Sequence, residues 1–128
     1  MKQEKFSFKK RIKSFKYAFN GLKILIQEEH NSWIHVFAAI GVLIAGFLLK
    51  ITTYEWLAVI FCIGFVIALE MVNSAIENIA DFVSPEKHIM IKKIKDLSAG
   101  AVLMAAIVSA IIGLIIFLPK IIALCGEN

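Results

Sequence analysis

Trp33 to Leu49, Trp56 to Ala80 and Leu97 to Leu118 form three apolar stretches in a chain of 128 residues. Each approaches or exceeds the roughly 20 residues that carry a helix across a bilayer at about 1.5 Å per residue. Inside hydrocarbon the backbone amides must find partners within their own segment, so each stretch is expected to be a helix. Composition agrees with this reading. Hydrophobic residues make up 59% of the chain and the mean hydropathy is +0.80, well above an ordinary soluble domain. The first stretch is short and leans on interfacial Trp33 and Lys50, whereas the second is long enough to tilt.

Basic residues set the expected topology. Eight of the fourteen Lys and Arg precede residue 24, and Lys87, Lys92, Lys93 and Lys95 fill the connection between the second and third stretches. Lys50 alone serves the first connection and Lys120 alone the tail. The positive-inside rule then puts the N-terminus and the 84–96 connection in the cytoplasm. No apolar core follows a short basic start as in a signal peptide, so the N-terminus is expected to be retained. Ahead of the first crossing, Phe8, Ile12, Phe15, Phe19, Leu22 and Ile26 recur at steps of three and four, with Lys9, Lys10, Lys13, Lys16 and Lys23 between them. This pattern predicts an amphipathic helix lying on the inner leaflet, its basic face toward anionic headgroups. The expected architecture is an all-α membrane protein of one domain, residues 1–128. It comprises a surface helix over about 8–27 and transmembrane helices over about 33–49, 56–80 and 97–118.

The second stretch ends in ALEMVNSAIENIAD, residues 68–81, with three carboxylates where lipid is the surrounding solvent. At about 100° per residue, Glu77 and Asp81 project within about 20° of Glu70, and Asn73 about 60° away, so the four form one polar stripe. Counted from Trp56, Glu70 lies roughly 21 Å along the helix and Glu77 about 10 Å further toward the cytoplasm. The stripe is therefore expected to open inward and to end blind near Glu70. Carboxylates at such depth are costly and face a bundle interior or wet cavity with a chemical task. Helix gluing by polar side chains would account for one Asn and one Glu; it fits two Glu and an Asp on one face poorly.

Gln27, Glu28 and Glu29 stand just before the first stretch and Lys95-Asp96 just before the third, so both groups are expected near the inner surface beside the stripe. Carboxylates with nearby lysines suit Mg2+, which prefers oxygen ligands and is usually held by one or two carboxylates plus substrate phosphates. There is no G-x-x-x-x-G-K-[ST] loop and no kinase-type glycine loop, so a nucleotide site here is of neither common kind. Two other classes use the same features. A small oligomeric transporter or proton path could bind a cation at Glu70, but residues 56–69 offer only Cys62 and glycine to continue the stripe outward. A non-catalytic scaffold leaves Glu29, Glu77 and Asp96 without a purpose.

The run Glu70-x-x-Asn73-Ser74-Ala75-Ile76-Glu77-x-x-x-Asp81, followed by Lys95-Asp96 and Ser98-Ala99-Gly100-Ala101, resembles the signature of the small bacterial integral-membrane lipid kinases, the diacylglycerol kinase and undecaprenol kinase family. The resemblance runs from Tyr17 to the end of the third stretch. Glu29-His30-Asn31-x-x-Ile34-His35 and Gly113 to Lys120 look closest to the undecaprenol kinase branch of Gram-positive bacteria. The resemblance implies an ATP-dependent kinase that phosphorylates a lipid hydroxyl, of undecaprenol or diacylglycerol, in the bacterial inner (cytoplasmic) membrane. It implies Glu70 as general base, with Asn73 and Ala99 beside the lipid. Glu29 and Glu77 are implied as metal ligands that also face ATP, and Tyr17, Glu86, His88, Lys95 and Asp96 as ATP contacts. Either Lys10 or Arg11 stands where the family has a phosphate-binding Arg. Mg2+, a homotrimer with shared active sites, and no nucleic-acid partner complete what it implies.

The other conspicuous residues read as ordinary. His35, alone about one turn into the first stretch, is expected to be a hydrogen-bonded packing residue, and His30 an interfacial one. Trp33, Tyr54 and Trp56 fit an aromatic belt. Ala101, Ala105, Ser109 and Gly113 form a small-residue row that permits close helix approach. Cys62 and Cys125 lie 63 residues apart and match no disulfide or metal spacing.

Overall fold

A computed structural model describes residues 5–126, and among them the chain is all helix and connection, with no strand. The first helix, α1, spans Phe8–Glu28; Ser7 caps it by accepting from the Lys10 amide at 3.5 Å. Phe8, Ile12, Phe15 and Phe19 are exposed along it and only Leu25 is buried. Among the described residues that apolar ridge finds no cover, which suits a helix resting on lipid.

Helix α2, His30–Leu48, begins after a single non-helical residue, Glu29, whose φ of −105° and ψ of 101° bend the chain. The bend is tied rather than loose. Ser32 Oγ donates to Glu29 O at 2.6 Å and Leu25 O at 3.3 Å, and Trp33 Nε1 donates to Ile26 O at 2.9 Å. The helix therefore starts three residues before the apolar stretch that predicted it. Trp33 acts as a strut across the bend as well as an interfacial ring.

After α2, Lys50 adopts the left-handed region at φ 51°, and the Ile51 amide donates back to Gly46 O at 3.2 Å. This is a Schellman-type stop made without glycine at the left-handed position. The glycine sits instead at Gly46, where an added Cβ would stand 2.7 Å from the Trp56 ring. The next helix, α3, spans Thr53–Val83 and opens on a reciprocal box: Thr52 Oγ1 accepts from the Glu55 amide, and Glu55 accepts from the Thr52 amide.

The fourth helix, α4, spans Ile89–Gly126 and runs antiparallel along α3. It passes through Pro119, beyond the expected end of the third stretch at Leu118. Pro119 forfeits one backbone hydrogen bond, and Lys120, the next residue, holds this end by a 3.0 Å ion pair to Glu55. Ile51, Val59, Ile116 and Phe117 form the buried cluster there. In the small-residue row Ala105 is buried, but Ala101 is exposed and a Cβ on Gly113 would meet nothing. That row is therefore not a continuous seam between α3 and α4. Ser109 and Gly113 border an apolar cavity of about 350 Å³ between α2, α3 and α4.

Helices α2, α3 and α4 are each long and apolar enough to span a membrane, and only 11%, 22% and 17% of their most apolar windows is buried within the chain. Most of each span presents apolar side chains outward. The chain is a membrane protein.

Candidate active site

Glu70 is the deepest of the stripe residues, 6% exposed, on the face of α3 turned to the start of α2. His35 Nε2 stands 3.2 Å from its Oε1, while Oε2 is buried without a hydrogen-bond partner among the described residues. A buried acceptor left in that state is costly and calls for an explanation. The sequence reading took His35 for a packing residue; the structure sets its imidazole beside the candidate base itself. The Glu29 carboxylate also lies close enough for its charge to be felt at Glu70.

One turn further along α3, Ser74 is buried and donates to Glu29 Oε1 at 2.8 Å. Glu29 owes its reach to the bend. As the one non-helical residue between α1 and α2, it carries its side chain onto the middle of the α3 stripe, between Glu70 and Glu77. Glu77 is half-buried on the same face, and Asp81, at the end, is exposed and bound by Lys95 Nζ at 2.5 Å. Burial thus falls from Glu70 through Glu77 to Asp81, the gradient expected of a stripe closed at one end. Asn73 turns to the other flank, where its Oδ1 accepts from the buried Ser98 Oγ at 2.6 Å. Ala99, the next residue, is exposed and has no polar side-chain atom to offer.

Beyond Asp81 the α3–α4 connection forms an open hollow of about 570 Å³. Asp81, Glu86, His88, Lys92, Lys95 and Asp96 line it, so four of the expected nucleotide contacts share one space. His88 Nδ1 accepts from the Met90 amide at 3.1 Å, which caps α4 and leaves Nε2 for another partner. Lys92 Nζ lies 2.6 Å from Asp96 Oδ2. The three remaining candidates are on α1: Tyr17 is 70% exposed, the Arg11 guanidinium sits 5.6 Å over the Phe6 ring, and Lys10 lies in the first turn. Gly21, one turn past Tyr17, lies against Met71, so this part of α1 borders α3 next to Glu70.

Among the described residues no group of three or more His, Cys, Asp and Glu is arranged to hold a metal. Glu29 and Glu77 on one face still suit Mg2+, which needs only one or two protein carboxylates and takes its other ligands from water and phosphate. His35, Ser74 and Ser98 were not singled out as site residues by the sequence reading. Ser74 stands within the stripe at i+4 from Glu70 and Ser98 at i+3 from Lys95, so helical spacing was a usable signal for both.

The buried Glu70, the half-buried Glu29 and Glu77, and a polar hollow lined by Asp81 give this membrane protein a polar face that opens at one end. The prokaryotic diacylglycerol kinase family model matches residues 16–117. The chain is 42% identical over 110 residues to the undecaprenol kinase of Bacillus subtilis, covering 86% of this chain and 89% of that protein. It is 34% identical over 112 residues to a diacylglycerol kinase of Synechocystis, covering 87% and 64%. To one of Haemophilus influenzae it is 33% identical over 101 residues, covering 79% and 86%. The chain belongs to the prokaryotic diacylglycerol kinase family. It is a lipid kinase.

Proposed function

We propose that this kinase transfers the γ-phosphate of ATP to the primary hydroxyl of undecaprenol or diacylglycerol, with Glu70 as the general base. The observation that carries the reading is the depth and the free oxygen of Glu70. A carboxylate 6% exposed, with Oε2 unpartnered, meets an alcohol at headgroup level better than one in open water. Asn73, fixed by Ser98, orients the reacting groups. The nucleotide lies along the open end of the stripe, contacting Lys95, Asp96, Glu86 and His88, with Tyr17 and Lys10 or Arg11 closing over it from α1.

The lipid O–H gives its proton to Glu70 as the oxygen lone pair forms a bond to the γ-phosphorus. The bond from that phosphorus to the β–γ bridging oxygen breaks, and ADP leaves with the electron pair. Glu29 and Glu77 would hold Mg2+, which when bound supplies charge neutralisation at the β- and γ-phosphates. The chain's own work is positioning and electrostatics, which dominate phosphoryl transfer. The family resemblance and the Lys-rich N-terminus and second connection support a homotrimer with shared active sites in the bacterial inner membrane, N-terminus and site facing the cytoplasm.

Purified protein in mixed micelles with labelled ATP and Mg2+, given undecaprenol and diacylglycerol in parallel, tests this directly. Label in one of the two lipids supports it; label in neither, with ATP consumed or not, overturns it.

A further inference from the structure

Glu70 comes from α3, and the groups that face it are His35 from α2 and Glu29 from the α1–α2 bend, with Glu77 two turns along its own helix. Among the described residues, His35 alone brings a charged or chargeable nitrogen within 4 Å of it. The imidazole Nε2 is 3.2 Å from Oε1, and the side chains are 27% and 8% exposed. On its other side His35 lines the apolar cavity with Ala38, Val66, Ile67 and Ala106. The ring therefore stands as a wall between a greasy space and a carboxylate. A packing residue there needs no nitrogen; an aliphatic side chain would fill the space without a desolvated polar group.

We propose that His35 is a positioning residue for the kinase reaction: its Nε2–H donates to Glu70 Oε1 and so aims Oε2 at the lipid hydroxyl. The inference rests on the reading of Glu70 as the base, and it adds which oxygen acts and what holds it. With Oε1 engaged by His35, the carboxylate is held from swinging, and Oε2 is the oxygen left to take the proton. His35 gains and loses no proton in the step, so a neutral imidazole in the Nε2–H tautomer suffices. Glu29 is barred from the same role. Its Oε1 already accepts from Ser74, and as an anion it has no donor to offer Glu70.

Three variants separate aiming from packing. His35→Phe keeps the ring volume and removes the donor, His35→Ala removes both, and His35→Gln keeps an amide N–H near the position of Nε2. Turnover by the Phe and Ala variants is expected to fall about 10- to 100-fold, the scale of misplacing a reacting group by about 1 Å, with KM for ATP and lipid within about twofold of wild type. The Gln variant is expected to recover to within about fivefold of wild type, because the donor is restored. In a Glu70→Gln background, His35→Phe is expected to cost nothing further, since the two act as one unit.

A His35→Phe enzyme with wild-type turnover, a Gln variant no better than Phe, or a loss confined to KM overturns the proposal. The two readings fail differently. Substantial turnover by Glu70→Gln removes the base and His35 with it. An inactive Glu70→Gln beside a fully active His35→Phe leaves the base standing and removes only His35.

Discussion

Glu29 and Ser74 lie 45 positions apart and are joined by a 2.8 Å hydrogen bond from the serine Oγ to the carboxylate Oε1. One partner is the single non-helical residue between α1 and α2, the other a buried residue in the middle of the α3 stripe. The bond sets where the Glu29 charge stands relative to Glu70 and Glu77. Ser74→Ala removes the donor without touching either carboxylate. The variant is expected to raise the apparent KM for magnesium-ATP about three- to tenfold, the worth of one hydrogen bond, and to leave the lipid KM unchanged. Steady-state kinetics with each substrate varied in turn check it; a shift in the lipid KM alone contradicts the placement of Glu29.

Glu77→Gln removes one negative charge from the half-buried part of the stripe while keeping its shape. The expected result is a higher requirement for both Mg2+ and ATP, because one ligand charge at the metal is gone. Titrating Mg2+ at fixed ATP, and ATP at saturating Mg2+, measures this. An unchanged metal dependence with an altered lipid dependence assigns Glu77 a different role.

The helices and the stripe were legible from periodicity, because a 3.6-residue repeat states which side chains share a face. The partner of each face was not. His35–Glu70, Ser74–Glu29 and Ser98–Asn73 join helices 25 to 45 positions apart in sequence, and no spacing within one helix reveals how its neighbour is rotated. Helix ends were blurred for another reason. Apolar patterning marks the edge of hydrocarbon, whereas a helix continues for as long as its backbone bonds are met. α2 accordingly starts at His30 rather than Trp33, and α4 runs on through Pro119. The left-handed Lys50 carried no glycine to announce it.

Gly46→Val tests the packing at the opposite end from the stripe. A Cβ at this position meets Trp56 at 2.7 Å and Ile51 Cδ1 at 3.2 Å, so the branched side chain must push Trp56 off its site. Overpacking of this kind costs about 1–3 kcal/mol. Thermal unfolding in detergent is expected to show a lowered Tm, with turnover per folded molecule near wild type. An unchanged Tm contradicts the close Gly46–Trp56 contact.

Single cysteines at 73, 77 and 81, in a background lacking Cys62 and Cys125, are expected to react with an impermeant thiol reagent from the cytoplasmic side, fastest at 81 and slowest at 73. Thiol attack proceeds through the thiolate and so requires water. Cysteines replacing Val72 and Ile79, which point out of the bundle from the opposite face of α3, are expected to stay unreactive in lipid. Labelling from the outer side contradicts the topology, and equal labelling around the helix contradicts the stripe.

The central claim is that Glu70 takes the proton from the lipid hydroxyl, and Glu70→Gln isolates it. Glutamine keeps the size of the side chain and a carbonyl oxygen for His35, while the base is lost. Phosphoryl transfer from labelled ATP to lipid should be measured beside nucleotide binding in the same preparation. The account predicts ATP affinity near wild type and turnover reduced about 10² to 10⁴ fold, the usual contribution of a general base. Turnover above about a tenth of wild type, with ATP binding intact, contradicts it.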